Sequence, residues 1–85
     1  MPVPPAELTA EYSIEGPQEA LAAALDIAGP SGLAREAGPG VTALSGSRPE
    51  VLDALRAVVS AALDAGAWRL DVRLEAPADV RGQTP

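Results

Sequence analysis

The feature that most constrains the fold is the stretch of residues 47–75, in which a capped helical pattern runs directly into a strand pattern. Ser47 and Glu50 have the spacing of a capping box, where the serine hydroxyl accepts from a first-turn amide and the glutamate reaches back. Seven apolar residues then recur at helical spacing, namely Val51, Leu52, Leu55, Val58, Val59, Ala62 and Leu63. This spacing predicts an amphipathic helix that ends near Ala65 and buries one stripe.

Gly66 is suited to end that helix, because glycine takes the left-handed conformation of helix C-termini without strain. We therefore expect a positive φ at Gly66. Residues 67–75 then alternate with a period of two. The apolar set is Trp68, Leu70, Val72 and Leu74, and the polar set is Arg69, Asp71, Arg73 and Glu75. The alternation predicts a strand with one buried face, and it places the single tryptophan on the core side.

The first half of the chain shows a strand pattern, a helix pattern and two further short strand patterns. Residues 7–15 alternate and predict a strand whose core face carries Leu8, Ala10, Tyr12 and Ile14. Residues 18–28 predict a helix with a buried face made of Leu21, Ala24, Leu25 and Ala28. Residues 33–37 and 41–45 are short strand candidates on either side of a tight turn at residues 38–40.

The element order is therefore β-α-β-β-α-β, which is typical of the ferredoxin-like α+β sandwich. Right-handed crossovers put two helices on one face of a four-stranded antiparallel sheet with strand order 4-1-3-2. We expect a single domain over residues 7–76, a flexible N-terminal arm at residues 1–6 and a flexible C-terminal tail at residues 77–85.

The small size of the chain favours self-association. The sequence has 85 residues, and a domain of that size buries only about 60–65% of its unfolded surface. A two-layer sandwich also leaves one face of its sheet bare. We expect a homodimer or homotetramer in which sheets pair edge to edge or stack on their polar faces.

Charge and residue content exclude several classes of function. Twelve acidic residues against six arginines and no lysine give a net charge of -6, which disfavours binding to nucleic acid or to an anionic membrane. The chain has no histidine and no cysteine, so Ser-His-Asp triads, Cys-His pairs, disulfides and ordinary zinc sites are absent. We therefore expect a protein that is not an enzyme and that uses no cofactor or metal.

Location follows from what the sequence lacks. The N-terminus shows no signal-peptide pattern and no apolar run could span a bilayer, so we expect a cytoplasmic protein. Abundant alanine and arginine without lysine indicate a GC-rich bacterial genome.

The polar face of the predicted sheet leaves two interpretations open. Three first-strand glutamates would lie beside two last-strand arginines, namely Glu7, Glu11, Glu15, Arg69 and Arg73. One interpretation is simple cross-strand ion pairing on a solvated sheet, which contributes ~0.2–1 kcal/mol per pair. The other is a face that meets a second subunit or a cationic ligand.

Several short segments resemble the small YkoF-like thiamine-binding family across about residues 7–76. These are Leu-Thr-Ala-Glu-Tyr-Ser-Ile at residues 8–14, Gly-Pro at 38–39, Thr-Ala-Leu-Ser-Gly at 42–46, Glu-Val-Leu-Asp-Ala-Leu at 50–55 and Ala-Gly-Ala at 65–67. The resemblance implies a ferredoxin-like sandwich that forms dimers or tetramers through its sheets. Some members of that family bind thiamine or its pyrimidine portion.

The resemblance also implies a ligand site. Its matched positions are Ser13, Gly38, Pro39 and Thr42, and Glu11 or Glu15 would supply a nearby carboxylate. Hydroxyls can read the edge of an aminopyrimidine, and a carboxylate can offset a thiazolium charge. We carry two hypotheses: a non-catalytic binding protein for thiamine or its hydroxymethylpyrimidine moiety, and a structural or regulatory homo-oligomer whose sheet serves only for assembly.

Overall fold

The computed structural model describes residues 6–77 and confirms the predicted order of elements. The elements are β1 (Leu8–Glu15), α1 (Gln18–Ser31), β2 (Ala34–Gly38), β3 (Val41–Gly46), α2 (Arg48–Asp64) and β4 (Arg69–Glu75). All strand pairs are antiparallel and the sheet order is β2-β3-β1-β4, which is the predicted ferredoxin-like α+β arrangement. The predicted N-terminal arm and C-terminal tail, apart from Ala6 and Pro77, lie outside the described residues.

The N-terminus of α2 is held by two carboxylates. The capping box is present: the Ser47 hydroxyl accepts from the Glu50 amide at 3.3 Å, and Glu50 Oε1 accepts from the Ser47 amide at 3.3 Å. Glu7 Oε1 also accepts from the Arg48 amide at 2.9 Å. Because the first amides of a helix have no partner within the helix, these contacts satisfy groups that would otherwise be orphaned. The Glu7 contact fixes the start of α2 to the residue that precedes β1.

α2 ends at Asp64 with Ala65 as its C-cap, and the following Gly66 has the predicted positive φ, 104°. The Ala67 amide donates to the Ala62 carbonyl at 2.9 Å and the Gly66 amide donates to the Leu63 carbonyl at 3.1 Å, which is the Schellman arrangement. A Cβ atom at Gly66 would lie 3.2 Å from Pro17 Cγ. Glycine is therefore needed here both for its backbone conformation and for the close approach of the β1–α1 turn.

The core lies between the sheet and the two helices. The first strand behaves as predicted, since Leu8, Ala10 and Tyr12 are buried. On α1 the prediction is wrong in part: the fully buried positions are Ala20, Ala24 and Ala28, whereas the larger Leu21, Leu25 and Ile27 are exposed. The reason is that small side chains let α1 approach α2 and the sheet closely, so the bulkier side chains of the same helix lie on its flanks.

The last strand and part of α2 are also less buried than the sequence predicts. Trp68, expected in the core, has 71% of its surface exposed, and Val72 and Leu74 are 43% and 51% exposed. On α2, Leu52 and Leu63 are exposed although they belong to the apolar stripe. β4 is an edge strand that pairs only with β1, and the helix layer leaves its inner face largely uncovered. A period of two reports which side chains share a face, but it does not report whether another element covers that face.

Several element boundaries differ from the predicted ones by one to three residues. α1 continues to Ser31 and includes Pro30, and its C-cap is Gly32, whose φ is 73°. β2 begins at Ala34 and β4 begins at Arg69. The extra turn of α1 is stabilised by the Ser31 hydroxyl, which donates to the Ala28 carbonyl at 2.6 Å. This side-chain bond adds a partner at the end of the helix, where carbonyls lack intrahelical donors.

Two alanine substitutions test the end of α2. Gly66→Ala is expected to lower the free energy of unfolding by about 1–2 kcal/mol, because an L-residue is strained in the left-handed region. Gly29→Ala is the matched control, since Gly29 lies within α1 and has open space around its Cβ position. That control is expected to keep or raise stability, because alanine is the better helix former. Urea denaturation measures both, and equal effects of the two substitutions would contradict the assignment.

Candidate functional site

A recess lies between the first half of α1 and the end of the sheet near the β2–β3 turn, and we call it the hairpin recess. Its cavity has a volume of about 210 Å³. The lining residues are Tyr12, Ser13, Ile14, Leu21, Ala24, Leu25, Glu36, Gly40, Val41 and Thr42. The recess thus combines an apolar wall from the helix with hydroxyl and carboxyl groups from three strands.

Strand register brings the polar groups of the hairpin recess into one row. Tyr12 on β1 is directly opposite Thr42 on β3, and Thr42 is directly opposite Glu36 on β2. Residues that pair directly across antiparallel strands point to the same face of the sheet. Tyr12 is buried, Thr42 is half-buried and Glu36 is exposed, so the row runs from the interior of the protein to the rim.

The helix wall of the recess explains part of the exposed apolar surface. Leu21 and Leu25 are 46% and 66% exposed, although their side chains line the cavity. Ala24, one helical turn before Ala28 on the buried face, forms the deeper part of the same wall. Ligand sites typically consist of such apolar surface with a few convergent polar groups.

Burial raises the pKa of the Tyr12 phenol above 10.0, because desolvation disfavours the charged phenolate. A hydrogen bond with the Thr42 side chain acts in the opposite direction and is the smaller effect. At neutral pH the Tyr12 hydroxyl is therefore protonated, and it can donate one hydrogen bond as well as accept.

The five predicted site residues do not form one cluster. Thr42 and Ser13 line the hairpin recess, but Glu11 lies on the outer face of the sheet, away from the helices. There Glu11 and Ser13 help to line a second recess of about 230 Å³ beside β4. Gly38 and Pro39 belong to the β2–β3 hairpin and line neither recess. The alternate carboxylate, Glu15, is on the outer face and contacts Arg69.

Sequence reasoning missed several contributors to the hairpin recess, among them Tyr12, which it placed only in the core. Glu36 lies in a short strand whose pairing partner was unknown, and only the register places it directly opposite Thr42. Leu21 and Leu25 were assigned to the core, and they form the apolar wall instead. The one signal in the sequence was that α1 carries more large apolar side chains than a helix packed through alanines can bury.

The outer face of the sheet carries the predicted glutamates and arginines with one exception. Arg69 Nε lies 3.8 Å from Glu15 Oε2 and 3.2 Å from Asp71 Oδ2, and Glu11 is directly opposite Arg73. Glu7 instead accepts from the first amide of α2. All these carboxylates and guanidinium groups are at least partly solvated, so each ion pair contributes little, about 0–1 kcal/mol.

Two negative findings concern the described part of the chain. Within residues 6–77, no three acidic side chains come together in a way that could hold a metal ion. Over the same residues, neither helix is long and apolar enough to cross a membrane.

The buried phenol predicts a loss of stability at alkaline pH. The unfolded chain releases the Tyr12 proton near pH 10.0, while the folded chain holds it to higher pH, so the folded state binds more protons in between. The free energy of unfolding is therefore expected to fall as the pH rises above about 10. Tyr12→Phe should remove this part of the pH dependence. Because Tyr12 is the single tyrosine, phenolate absorbance in native and denatured protein measures the shift directly, and identical titration curves would contradict it.

Comparison with known proteins identifies a fold. No family model matches the sequence, and no curated protein matches it. Among solved structures, the chain is similar to a domain of unknown function, DUF77, from Bacillus cereus, with a TM-score of 0.62. The similarity covers 89% of this chain and 85% of that chain, at 19% sequence identity. At this identity the likeness shows that the two chains share the ferredoxin-like fold, and a shared fold does not by itself assign a ligand.

Proposed function

We propose that this protein is a non-catalytic binding module for a small heteroaromatic molecule, with thiamine or its hydroxymethylpyrimidine portion as the candidate ligand. The observation that carries the proposal is the row of Tyr12, Thr42 and Glu36, which runs from the interior to the rim of a recess with an apolar helix wall. Such a row offers hydrogen bonds in one plane beside apolar surface, which suits a flat ring with polar substituents.

The size of the hairpin recess supports a ligand that enters only in part. Its volume of about 210 Å³ is below the range of about 300–1,000 Å³ that is usual for sites enclosing a whole drug-sized ligand. One substituted ring fits such a space, and the remainder of the molecule would lie at the open rim. For thiamine, the aminopyrimidine would occupy the recess and the thiazolium ring would lie outside it.

The chemistry of the lining groups fits both parts of that ligand. The hydroxyls of Tyr12 and Thr42 can donate to ring nitrogens or accept from the exocyclic amine. The Glu36 carboxylate, at the rim, can accept from the amine or lie near the thiazolium charge, and charge-assisted hydrogen bonds are roughly twice as strong as neutral ones. The net charge of -6 favours a cationic ligand over an anionic one.

The absence of histidine and cysteine from the composition supports a binding role rather than catalysis. The sequence contains no histidine and no cysteine, which are the commonest general base and the most reactive thiol nucleophile in active sites. The Tyr12 phenol has a raised pKa, whereas a nucleophilic phenolate would need a lowered one. The groups in the hairpin recess are thus suited to hydrogen bonding.

Assembly alone is a second candidate function. It is supported by the exposed apolar side chains of the edge strand and the residue before it, where Trp68, Val72 and Leu74 are 71%, 43% and 51% exposed. Under this alternative the hydroxyls of the recess bind only water.

A pair of threonine substitutions tests the proposed ligand site. Thr42→Val removes the hydroxyl in the recess and keeps the side-chain shape, and Thr9→Val makes the same change at a threonine that contacts Ser45 elsewhere in the sheet. We expect Thr42→Val to weaken binding about tenfold, which is ~1.4 kcal/mol, and Thr9→Val to leave it unchanged. Titration calorimetry with thiamine and with free hydroxymethylpyrimidine provides the measurement.

A carboxylate substitution then distinguishes the two parts of the ligand. If the Glu36 side chain contacts the exocyclic amine, Glu36→Gln weakens both ligands; if it lies near the thiazolium, it weakens thiamine alone. No heat and no shift in melting temperature with either ligand at millimolar concentration would refute the binding proposal and leave assembly as the function. Equal losses in Thr42→Val and Thr9→Val would show that the site lies elsewhere.

A further inference from the structure

The outer edge of β4 is open, and charged residues of alternating sign occupy every second position of this strand. β4 pairs with β1 on one side, and no strand of the described chain pairs with it on the other. Its sequence is Arg-Leu-Asp-Val-Arg-Leu-Glu, with Val72 at the centre. Exposed strand edges present free amides and carbonyls, which makes them templates for pairing with another chain. Nothing in this strand blunts the edge, because it contains no proline, no lysine and no inward-pointing charge.

We propose that β4 pairs with β4 of a second copy of this protein, antiparallel and with a two-fold axis through Val72, so that the two sheets become one. This interface is independent of the proposed ligand site. The strand's own sequence identifies the occupant as a second copy, because its charges and its apolar side chains complement themselves in this one register.

The charges of β4 complement themselves around Val72. A two-fold axis at Val72 places Arg69 opposite Glu75 of the second copy, and Asp71 opposite Arg73 of the second copy. Symmetry repeats both contacts, so four pairs of opposite charge cross the interface and no like charges oppose each other. Directly opposed residues of opposite charge stabilise an antiparallel pair, and opposed like charges destabilise it.

The inner face of the same register is apolar throughout. Val72 meets its own copy, Leu70 meets Leu74, and Trp68 meets Ala76. In the single chain, Val72, Leu74 and Trp68 are 43%, 51% and 71% exposed. The pairing would cover part of the large apolar side chains that the single chain leaves exposed on this strand, and burial of apolar surface favours association.

Neighbouring registers lack this complementarity. An axis at Asp71 would oppose Asp71 to itself and Arg69 to Arg73, and an axis at Arg73 would oppose Arg73 to itself and Asp71 to Glu75. A shift by a single residue would set leucine opposite a charged side chain. The backbone is also compatible. On an antiparallel edge strand, the N–H and C=O groups of every second residue point outward, and a two-fold axis through Val72 pairs these outward-pointing residues with those of the second copy.

Two of the four charged side chains of β4 have no ion-pair partner within residues 6–77, and the other two, Arg69 and Asp71, are held only by exposed ion pairs. Arg73 and Glu75 form no ion pair with any residue of the range 6–77, and the two ion pairs of Arg69 are solvated. The isolated domain therefore leaves charges on β4 without a partner that the second copy would supply.

Cross-linking tests the register. The chain has no cysteine, so a single introduced cysteine reports without background. In the proposed dimer Val72→Cys brings two Cα atoms to about 4.5–5.5 Å, within the range for a disulfide. Leu70→Cys is the matched control, because its two copies would be four residues, or about 13 Å, apart along the strands. Rapid oxidation of Val72→Cys to a covalent dimer, with little from Leu70→Cys, is expected; equal yields would overturn the proposal.

Charge substitutions test the interface in solution. Val72→Lys puts two ammonium groups at the axis and is expected to convert a dimer into a monomer, whereas Leu52→Lys, at an apolar residue of similar exposure on α2, is expected to remain dimeric. Asp71→Arg should weaken the dimer at least about tenfold, because it sets the introduced guanidinium opposite Arg73 of the second copy, and adding Arg73→Asp should restore the dimer. Sedimentation with melting curves separates dissociation from unfolding. A wild-type protein that is monomeric at tens of micromolar, or a dimer that persists in folded Val72→Lys, would overturn the proposal.

Discussion

The structure depends on the pairing of β1 along both of its edges. This strand lies between β3 and β4, and its inner side chains, among them Ala10 and Tyr12, form the floor of the core. The other elements are placed relative to it: α1 connects β1 to β2, α2 connects β3 to β4, and both helices lie on the same side of the sheet. Since antiparallel register fixes which side chains share a row, the position of Tyr12 decides what stands beside it on each neighbouring strand.

Close packing around small residues shapes what remains outside the core. Alanines on α1 let the two helices approach each other, and a Cβ atom at Gly16 would lie 2.7 Å from Ala67 Cα where the two crossovers meet. A helix that packs this closely cannot bury bulky side chains on its flanks. The leucines of α1 therefore line the hairpin recess. Val72 and Leu74 stay exposed for a different reason, because β4 is an edge strand whose inner face the helices leave largely uncovered.

The two surfaces lie along the same row of the sheet. Glu36, Thr42, Tyr12 and Val72 are consecutive cross-strand neighbours from β2 to β4. In the proposed dimer, the two-fold axis at Val72 and the hairpin recess are therefore on opposite sides of Tyr12. Five strand spacings separate Thr42 from its copy, which is about 24 Å, so two ligands would bind without contacting each other. Ligand binding and assembly are thus compatible, and each can be tested alone.

Local patterns in the sequence determined the elements and the fold. The capping box, the glycine that ends α2 and the two alternating strands each act through neighbours within a few residues, and the strand order follows from the handedness of crossovers. The hydroxyl of Thr42 was also identified from the sequence, through a resemblance. The tertiary structure decided which sheet surfaces the helices cover and which residues of neighbouring strands lie opposite each other. A period of two cannot reveal that no helix lies over Trp68, and no local signal pairs Glu36 with Thr42, because both depend on contacts between residues that are distant in the chain or in different layers.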